Sequence, residues 1–517
     1  MTVIRRTLFT LVALVSVCAV VLAALLAWPL PTISQRGLTG DVLLRDVTVV
    51  DVESGSLRRR QNLIIRNGKI VWMGPDEVPL QDSLFVVEGA GRYLIPGLWD
   101  MHTHTTQHAA QYQHPLFIAN GVTGVRDLWG CMSEPDSFFA CAQDRRRWNQ
   151  ALDARRGLSP RYVGQSSYQI NGGNEVPDGF PEFFKARTPA EARQLVDYYA
   201  GVDVDILKPY TELSPQAYLA LAQRADELGL SLQGHRPIRV PLETALSVGQ
   251  RSIEHGRLFL LECFTGADGF RGLPNPLAAY STELMWRLVD EHDTARCAAL
   301  MVSMAESSTW WTPTLRTLAM GARAGESDFR NDERLKYVPF LFVQLIWTPD
   351  ADRKVADNAV AEDVHGALYE LAQQTVGQAQ SAGVRILAGT DAFDTYVYHG
   401  FSLHDELASL VGSGLSPLEA LKTATINAAV FSGLEEAYGS IAVGKRADMV
   451  LLEADPLLDI RNTGKIAGVF FNGAYFDRTA LDDLLAFAEQ RAGSIRTNVH
   501  ILWSAITSPL LRAQFAD

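Results

Sequence analysis

Two styles of hydrophobic patterning divide the chain. Residues 41–95 and 439–478, the two flanks, contain short apolar stretches in which apolar and polar positions alternate. They also contain the hairpin signals Asn67-Gly68 and Asn472-Gly473, so both flanks are predicted to be β-rich. Between them, short apolar strands alternate with segments whose apolar residues recur every three or four positions, as in residues 416–433. That alternation is typical of βα units around a parallel sheet, which makes the predicted fold class α/β.

The repeated strand and helix pattern predicts a TIM-type (β/α)₈ barrel over residues 96–438. Its strands are expected near residues 97–103, 122–128, 161–166, 204–208, 231–235, 252–255, 309–315 and 384–391. The two flanks are expected to close on each other as one small β-sandwich, and residues 479–517 to form a C-terminal helical tail. The aromatic-rich residues 317–357 exceed a simple βα connection, and a lid, an oligomer interface or a membrane-facing patch would each explain them.

The first 34 residues differ from the rest of the chain. Residues 8–30 carry no charge, and at about 1.5 Å per residue this stretch can cross a hydrocarbon core of about 30 Å. Because Arg5 and Arg6 precede it and a much larger body follows, we expect residues 1–34 to be a transmembrane signal anchor, with the catalytic domain outside the cytoplasm. A cleaved signal peptide is the alternative, and it also exports the body.

Length and charge narrow the class of protein. The 517 residues suit a barrel with a satellite domain, and 47% apolar with 20% charged residues is typical of a globular chain. A formal charge of −13 argues against a nucleic-acid partner, which would need a basic patch. The triplets Arg58–Arg60 and Arg145–Arg147 stand alone and are interpreted as solvated surface.

Four cysteines lie outside the apolar N-terminal stretch: Cys131, Cys141, Cys263 and Cys297. In an oxidising compartment Cys131 and Cys141 can close a short loop, but three complete pairings and buried free thiols all stay open. None of these cysteines has a Cys-x-x-Cys spacing, so they are excluded as metal ligands.

Several predicted barrel strands end in a polar residue. His102 and His104 are two positions apart at the end of the first strand, so their side chains share one face and can converge on one cation. Four more polar residues each end an apolar strand: Lys208, His235, His255 and Asp391. Barrel active sites are built on the carboxyl ends of the strands, which indicates one shared site.

The order and local strings of these residues resemble the binuclear amidohydrolase superfamily. DMHTH, DILKPY, IEHG and AGTDAF resemble its branch of dipeptidase (prolidase-like) and imidazolonepropionase-like hydrolases, and the resemblance runs from about residue 41 to 478. It implies that His102, His104 and Asp391 hold the more buried of two divalent cations and that His235 and His255 hold the other. It also implies that Lys208 bridges them as a carboxylated lysine, which forms from the neutral amine.

The same resemblance implies the chemistry. A hydroxide bridging the two cations would attack the substrate carbonyl, with Asp391 first accepting its proton and then passing that proton to the leaving nitrogen. Separately from the resemblance, Tyr210 lies two residues after Lys208 and is expected either to donate a hydrogen bond to the carbonyl oxygen as the tetrahedral intermediate forms or to be an ordinary packed tyrosine. Nitrogen and oxygen ligands suit zinc best, with manganese, cobalt and iron as alternatives.

Three further residues are candidates for substrate contact. Arg236 follows His235 and is expected either to clamp a substrate carboxylate or to lie at the surface. His399 lies in the loop after Asp391 and is a candidate to touch substrate. Asn174 stands where many members of the branch carry the histidine of a Gly-Gly-His string, and since asparagine does not titrate near neutrality, this departure weakens any transfer of substrate specificity.

The sequence therefore predicts a metal-dependent hydrolase that cleaves an amide bond of a small molecule, such as a dipeptide or an N-acyl amino acid. A cyclic amide, an imidazolone or a lactone is the alternative substrate class. A non-catalytic metal-containing binding protein is the alternative of another class. The expected partners are the small-molecule substrate and the membrane, with homo-oligomers left open.

Overall fold

The computed structural model describes residues 2–33, 37–76, 84–173 and 175–514 and has an α/β fold. Helices α1 to α21 span Thr2–Ala27, Ala109–Ala119, Ala142–Asp153, Pro189–Gly201, Pro215–Leu228, Leu242–Ser247, Arg257–Cys263, Ala267–Arg271, Thr282–Asp290, Thr294–Glu306, Leu315–Arg323, Ser327–Arg330, Phe340–Phe342, Thr348–Val360, Val364–Ser381, Phe401–Gly412, Pro417–Thr423, Ile426–Phe431, Arg478–Ala492, Ile495–Thr507 and Pro509–Gln514. Short 3₁₀ helices cover Glu182–Lys185, Glu333–Tyr337 and Ile460–Gly464, and a π-helical turn covers Val343–Trp347.

The two β-rich flanks meet in one sheet. Strands β1 to β6 span Leu38–Thr39, Asp41–Val50, Leu57–Arg66, Lys69–Gly74, Leu84–Glu88 and Tyr93–Pro96, and β16 to β18 span Met449–Leu452, Ile466–Phe471 and Ala474–Asp477. Within the described residues these strands form one nine-stranded sheet, in which β16 joins β6 antiparallel with Val450 opposite Ile95. Val47, Ile65 and Met449 belong to its own apolar cluster, and the packing of this sheet as a sandwich stays a prediction.

The parallel strands carry the site. Strands β7 to β15 span Leu98–Thr103, Val122–Asp127, Arg161–Tyr162, Ser166–Ile170, Ile206–Pro209, Ser231–Gly234, Ser252–Glu254, Trp310–Thr312 and Arg385–Ile386. They pair in chain order, β7 to β9 in one sheet and β10 to β15 in another, and all the pairings are parallel. The chain after β15 returns to β7, because the Met101 amide donates to the Ala388 carbonyl at 2.9 Å and Thr103 pairs with Ala392.

Three predicted strands are shorter or broken. The segment predicted as one strand at 161–166 divides into β9 and β10 around Gly164, whose φ of 78° lies in the left-handed region that interrupts a strand. The strand predicted at 309–315 ends at Thr312, and α11 begins three residues later, at Leu315, directly after Thr314 at φ 43°. The strand predicted at 384–391 keeps strand geometry only at Arg385–Ile386.

Predicted helix signals are partly confirmed. Ser416 caps α17 at the start of the segment predicted as helical, since its hydroxyl accepts from the Glu419 amide while the Glu419 carboxylate accepts from the Ser416 amide. The predicted single helix over 416–433 is wrong, because the chain breaks at Ala424 and Thr425 and resumes as α18. Residues 317–357 are mostly helical, running from α11 through the π-helical turn to α14.

Disulfides join Cys131 to Cys141 and Cys263 to Cys297, so the open alternative of free thiols is wrong for these cysteines.

The prediction that Arg145 is solvated surface is also wrong. Its side chain is fully buried and lies 3.2 Å from the Asp127 carboxylate, which offsets the cost of burying its charge. Arg58 to Arg60 are exposed, as predicted.

Helix α1 contains residues Phe9–Ala27, which are long and apolar enough to cross a membrane. The C-terminal end of this helix contacts α20. The His500 ring nitrogen donates to the Leu25 carbonyl at 2.9 Å, and Arg496 donates to the carbonyl of Trp28, the residue that follows α1. The C-terminal helices are thereby held beside the candidate membrane span.

Candidate metal centre

Three histidine side chains converge on the Asp391 carboxylate. His102 and His104 leave the end of β7 on one face, and their Nε2 atoms lie 3.2 and 3.3 Å from Asp391 Oδ1. His255 follows β13, and its Nδ1 lies 3.5 Å from Asp391 Oδ2. These side chains lie at or after the ends of three different strands, β7, β13 and β15, so the predicted convergence is present for this subset.

His235 and Lys208 lie next to this subset. The ring centroid of His235 is 4.6 Å from that of His255 and 4.0 Å from that of Tyr210. Lys208 is 1% exposed, its Nζ lies 5.7 Å from the Tyr210 ring, and its charge interacts with that of Asp391. The six residues predicted as metal ligands therefore occupy one neighbourhood.

Donor atoms in this cluster lack partners. Among the described residues, His102 Nε2, His104 Nε2 and Asp391 Oδ1 are buried without a hydrogen bond. Buried polar groups are almost always bonded, because an unpaired one loses its hydration without compensation. The three atoms converge, and their imidazole and carboxylate chemistry is what a divalent transition metal binds, so the residues fit a cation.

Hydrogen bonds from a second layer fix the orientation of the histidine rings. Nδ1 of His102 lies 2.9 Å from a Glu254 oxygen, and Nδ1 of His235 lies 3.0 Å from the Thr211 hydroxyl. Nδ1 of His255 lies 2.8 Å from the Thr314 hydroxyl. Such contacts leave each Nε2 atom for a metal and are typical of metal-binding histidines.

Glu254 connects the cluster to the inside of the parallel sheet, and the sequence analysis missed it. Its two oxygens lie 3.0 Å from Arg126 Nη2, while Arg126 also donates to the Met101 carbonyl and to the Ser252 hydroxyl. Burial raises the pKa of Glu254, but Arg126 and His102 oppose this and bring it to about 2, so the carboxylate stays ionised. The sequence feature that could have identified Glu254 is its position: a carboxylate inside an apolar strand, directly before His255.

Two ligand candidates have unusual backbone conformations. His255 has a φ of 73° and Asp391 a φ of 63°, in the left-handed region that side chains other than glycine rarely adopt. Such strain persists where the surrounding structure imposes it, and it concentrates at functional sites. Here it lies directly after β13 for His255 and in the loop that follows β15 for Asp391.

The electrostatics of the cluster favour neutral His104 and His235 and an ionised Asp391, whereas the Asp391 and Glu254 carboxylates raise the pKa of His102 in spite of its burial. Burial lowers the pKa of Lys208 to about 8 and holds the pKa of His104 and His235 well below the usual value. Burial alone would raise the pKa of Asp391, but the facing histidines reverse this and bring it well below its usual value. Neutral imidazoles and an ionised carboxylate are the forms that bind a cation.

Two of the three candidates for substrate contact are buried, and the third lies outside the described residues. Arg236 is buried, so the predicted alternative that it lies at the surface is wrong. Its guanidinium pairs with Glu262 at 2.9 Å and donates to the Pro237 carbonyl. Its role as a clamp for a substrate carboxylate stays a prediction. His399 is buried and donates to the His104 carbonyl at 3.1 Å, which braces a ligand candidate. Asn174 lies outside the described residues.

A small cavity adjoins the cluster. It has a volume of about 100 Å³ and is bordered by His235 and His255 together with Arg257 and Tyr280. Arg257 is exposed at its edge, and its guanidinium lies 5.7 Å from the Tyr280 ring. The cavity gives a small molecule access to the two histidines.

Comparison with known proteins finds a family model that matches part of the chain. The amidohydrolase family model matches residues 343–475. An adenine deaminase from Rubrobacter xylanophilus is 32% identical over 111 residues, which are 19% of this chain and 18% of that protein. The chain therefore matches less than a fifth of the length of this curated relative.

Solved structures share the fold over most of the chain. Bottromycin amidohydrolase has a TM-score of 0.67 at 23% identity, covering 88% of this chain and 92% of that one. A Xaa-Pro dipeptidase with bound methionine has a TM-score of 0.59 at 18% identity, covering 84% of this chain and all of that one. The predicted resemblance to the amidohydrolase superfamily is confirmed by the family match together with this shared α/β fold.

Proposed function

We propose that this chain is a metal-dependent hydrolase that cleaves an amide bond of a dipeptide or an N-acyl amino acid. The observation that carries the proposal is the set of buried, unpaired donor atoms on His102, His104 and Asp391. The two nitrogens lie 3.2 and 3.3 Å from the Asp391 oxygen without making a hydrogen bond to it, whereas a bound cation would satisfy all three atoms. The superfamily resemblance supplies the reaction class.

The proposed scaffold is a closed (β/α)₈ barrel over residues 96–438. Pairing in chain order from β7 to β15 supports it, as does the return of the chain to β7 through Thr103 and Ala392. In such a barrel the residues that follow each strand meet at one mouth, where active sites of this fold lie.

We assign the six side chains to two cations. His102, His104 and Asp391 would hold one, and His235 with His255 the other. Lys208 would bridge them as a carbamate, and its burial and lowered pKa favour the neutral amine that reacts with carbon dioxide. Zinc suits this set of nitrogen and oxygen ligands best, with manganese, cobalt and iron as alternatives.

When bound, two such cations acidify a water and polarise the scissile carbonyl. Asp391 would accept the proton of the attacking water on a carboxylate oxygen and pass it to the leaving nitrogen, which makes that nitrogen a competent leaving group. Tyr210, beside His235, would donate its hydroxyl proton in a hydrogen bond to the carbonyl oxygen as negative charge develops there.

Arg257 is the best-placed residue for a substrate carboxylate. It shares the small cavity with His235 and His255, whereas the Arg236 guanidinium already pairs with Glu262. A guanidinium recognises a carboxylate through paired hydrogen bonds, so the amino-acid side of the substrate would lie in this cavity.

We also propose that α1 anchors the protein and that the body lies outside the cytoplasm. Disulfides at Cys131–Cys141 and Cys263–Cys297 support this location, because such bonds persist in oxidising compartments.

A substrate panel tests the proposal. Metal-supplemented full-length protein should hydrolyse N-acetyl amino acids or dipeptides in preference to cyclic amides and lactones. The Asp391→Asn variant should lose this activity. Preference for cyclic substrates would overturn the amide assignment, and less than about one equivalent of bound transition metal would favour a binding protein over an enzyme.

A further inference from the structure

A second and larger cavity lies beside the candidate metal centre. It has a volume of about 310 Å³, and its deep end is formed by aromatic rings, including Trp129, Phe342 and Phe393. The Phe342 and Phe393 rings meet edge to face at 4.5 Å. The cavity wall is apolar except at Asp394 and Thr395.

One side of this cavity borders the candidate metal centre. The Trp129 indole stacks on the His104 ring at 5.0 Å, so one side chain borders both the cavity and a ligand candidate. Phe393 follows Asp391 by two residues and stacks on His399 at 5.6 Å. The cavity is therefore one side chain away from a ligand candidate.

The rim of the cavity lies on the exposed C-terminal helix α20. Leu345 of the π-helical turn and Leu502 of α20 line the cavity and are 63% and 43% exposed. Ile495 and Ile506 lie on the same face of α20 as Leu502 and are also exposed. Because α20 bonds to the end of α1 through His500, the helix that carries this apolar face lies beside the end of the candidate membrane span.

We propose that the substrate of this enzyme carries an alkyl acyl chain of on the order of ten carbons, which lies in the 310 Å³ cavity and enters it from the bilayer. A dry apolar cavity of about 150 Å³ admits one benzene ring, and this cavity is about twice as large. This inference rests on the proposed amide hydrolysis and names its acyl side.

The wall chemistry selects an alkyl chain over a peptide. A peptide in this cavity would bury amides for which the aromatic and aliphatic wall offers almost no partners, whereas an alkyl chain has none to satisfy. Hydrolysis would break the carbonyl carbon to nitrogen bond, form a carbon to oxygen bond from water and move a proton to nitrogen. The products would be a fatty acid and an amino acid.

A chain-length series tests the inference. The full-length protein is placed in lipid nanodiscs, because detergent would compete for an alkyl site, and is given N-acetyl, N-hexanoyl and N-decanoyl amino acids. Each buried methylene should raise kcat/KM about fourfold until the cavity is full. We expect at least a 100-fold rise, on the order of a few buried methylenes, from acetyl to decanoyl.

Matched variants place the effect in the cavity. Ala505→Trp fills it from α20, while Ala298→Trp adds the same side chain at an exposed position of α10. The decanoyl to acetyl ratio of kcat/KM should fall at least about tenfold in Ala505→Trp and stay unchanged in Ala298→Trp. Leu345→Gln, at the exposed rim, should lower the same ratio even if Ala505→Trp folds poorly.

A binding measurement separates this inference from the proposed function. Bromodecanoate should quench the fluorescence of Trp129 and Trp347, and Ala505→Trp should weaken that quenching relative to Ala298→Trp. Quenching without hydrolysis of any N-acyl amino acid would overturn the proposed function and leave the alkyl site standing. Hydrolysis without dependence on chain length, or equal quenching in both tryptophan variants, would overturn the alkyl site.

Discussion

Replacing Glu254 by Gln should weaken metal binding although Glu254 is not a ligand candidate. The carboxylate is fully buried, and one of its oxygens lies 2.9 Å from His102 Nδ1. It accepts from Arg126 and from the Ser252 hydroxyl as well. A glutamine offers one acceptor oxygen where the carboxylate offers two, so it cannot serve all three donors.

The structure sets the expected size of two separate effects. The Arg126 guanidinium is 1% exposed, and leaving such a charge without its partner costs about 3–5 kcal/mol of folding stability. Loss of the contact that orients His102 should lower metal affinity about 10–100-fold, which is about 1.4–2.7 kcal/mol.

Glu262→Gln is the matched control. Glu262 is equally buried and pairs with Arg236 and Arg271, but it contacts no histidine of the cluster. Both variants should lower the midpoint of urea unfolding by similar amounts. Zinc affinity, measured by competition with a chromophoric chelator, should fall only in Glu254→Gln. Equal zinc affinity in the two variants would refute the idea that Glu254 positions His102 for metal.

Three other outcomes follow from the same site. Metal-free protein in ¹³C-bicarbonate should show a carbamate NMR signal that grows from pH 7 to 9, because the neutral fraction of Lys208 rises through its pKa of about 8; a signal that persists in Lys208→Gln would contradict this. Tyr210→Phe should lower kcat on the order of 100-fold with bound metal unchanged, and an unchanged kcat would remove Tyr210 from the reaction. Replacing both Cys131 and Cys141 by serine should lower unfolding stability by about 2–4 kcal/mol in calorimetry, and an unchanged melting temperature would show that the bond does not constrain the chain.

Residues whose position follows from local pattern were predictable. His102 lies near the end of an apolar strand and Asp391 closes an apolar stretch, and the two-residue spacing of His102 and His104 fixes their common face without any knowledge of the rest of the fold. The cap at Ser416 is equally local, since the capping box lies within four residues. Such features depend on strand and helix geometry alone.

Residues whose role depends on distant partners were not predictable. Arg145 lies in a basic triplet that is typical of a solvated surface, and only the approach of β8 places Asp127 against it. Arg126 and Glu254 are separated by 128 positions, and nothing in either neighbourhood indicates that they meet. Arg236 stands directly after a ligand candidate, yet its partner Glu262 lies on α7 and occupies its guanidinium.

Chemistry and substrate selection therefore depend on different parts of the chain. The proposed ligands sit at strand ends, where a one-residue change in register would turn a side chain to the other face. The proposed alkyl cavity is built mainly from α13, the π-helical turn and α20, with Trp129 and Phe393 on the side that borders the centre. Substitutions in α20 should consequently change which acyl groups are accepted while the metal ligands stay in place, because α20 contributes none of them.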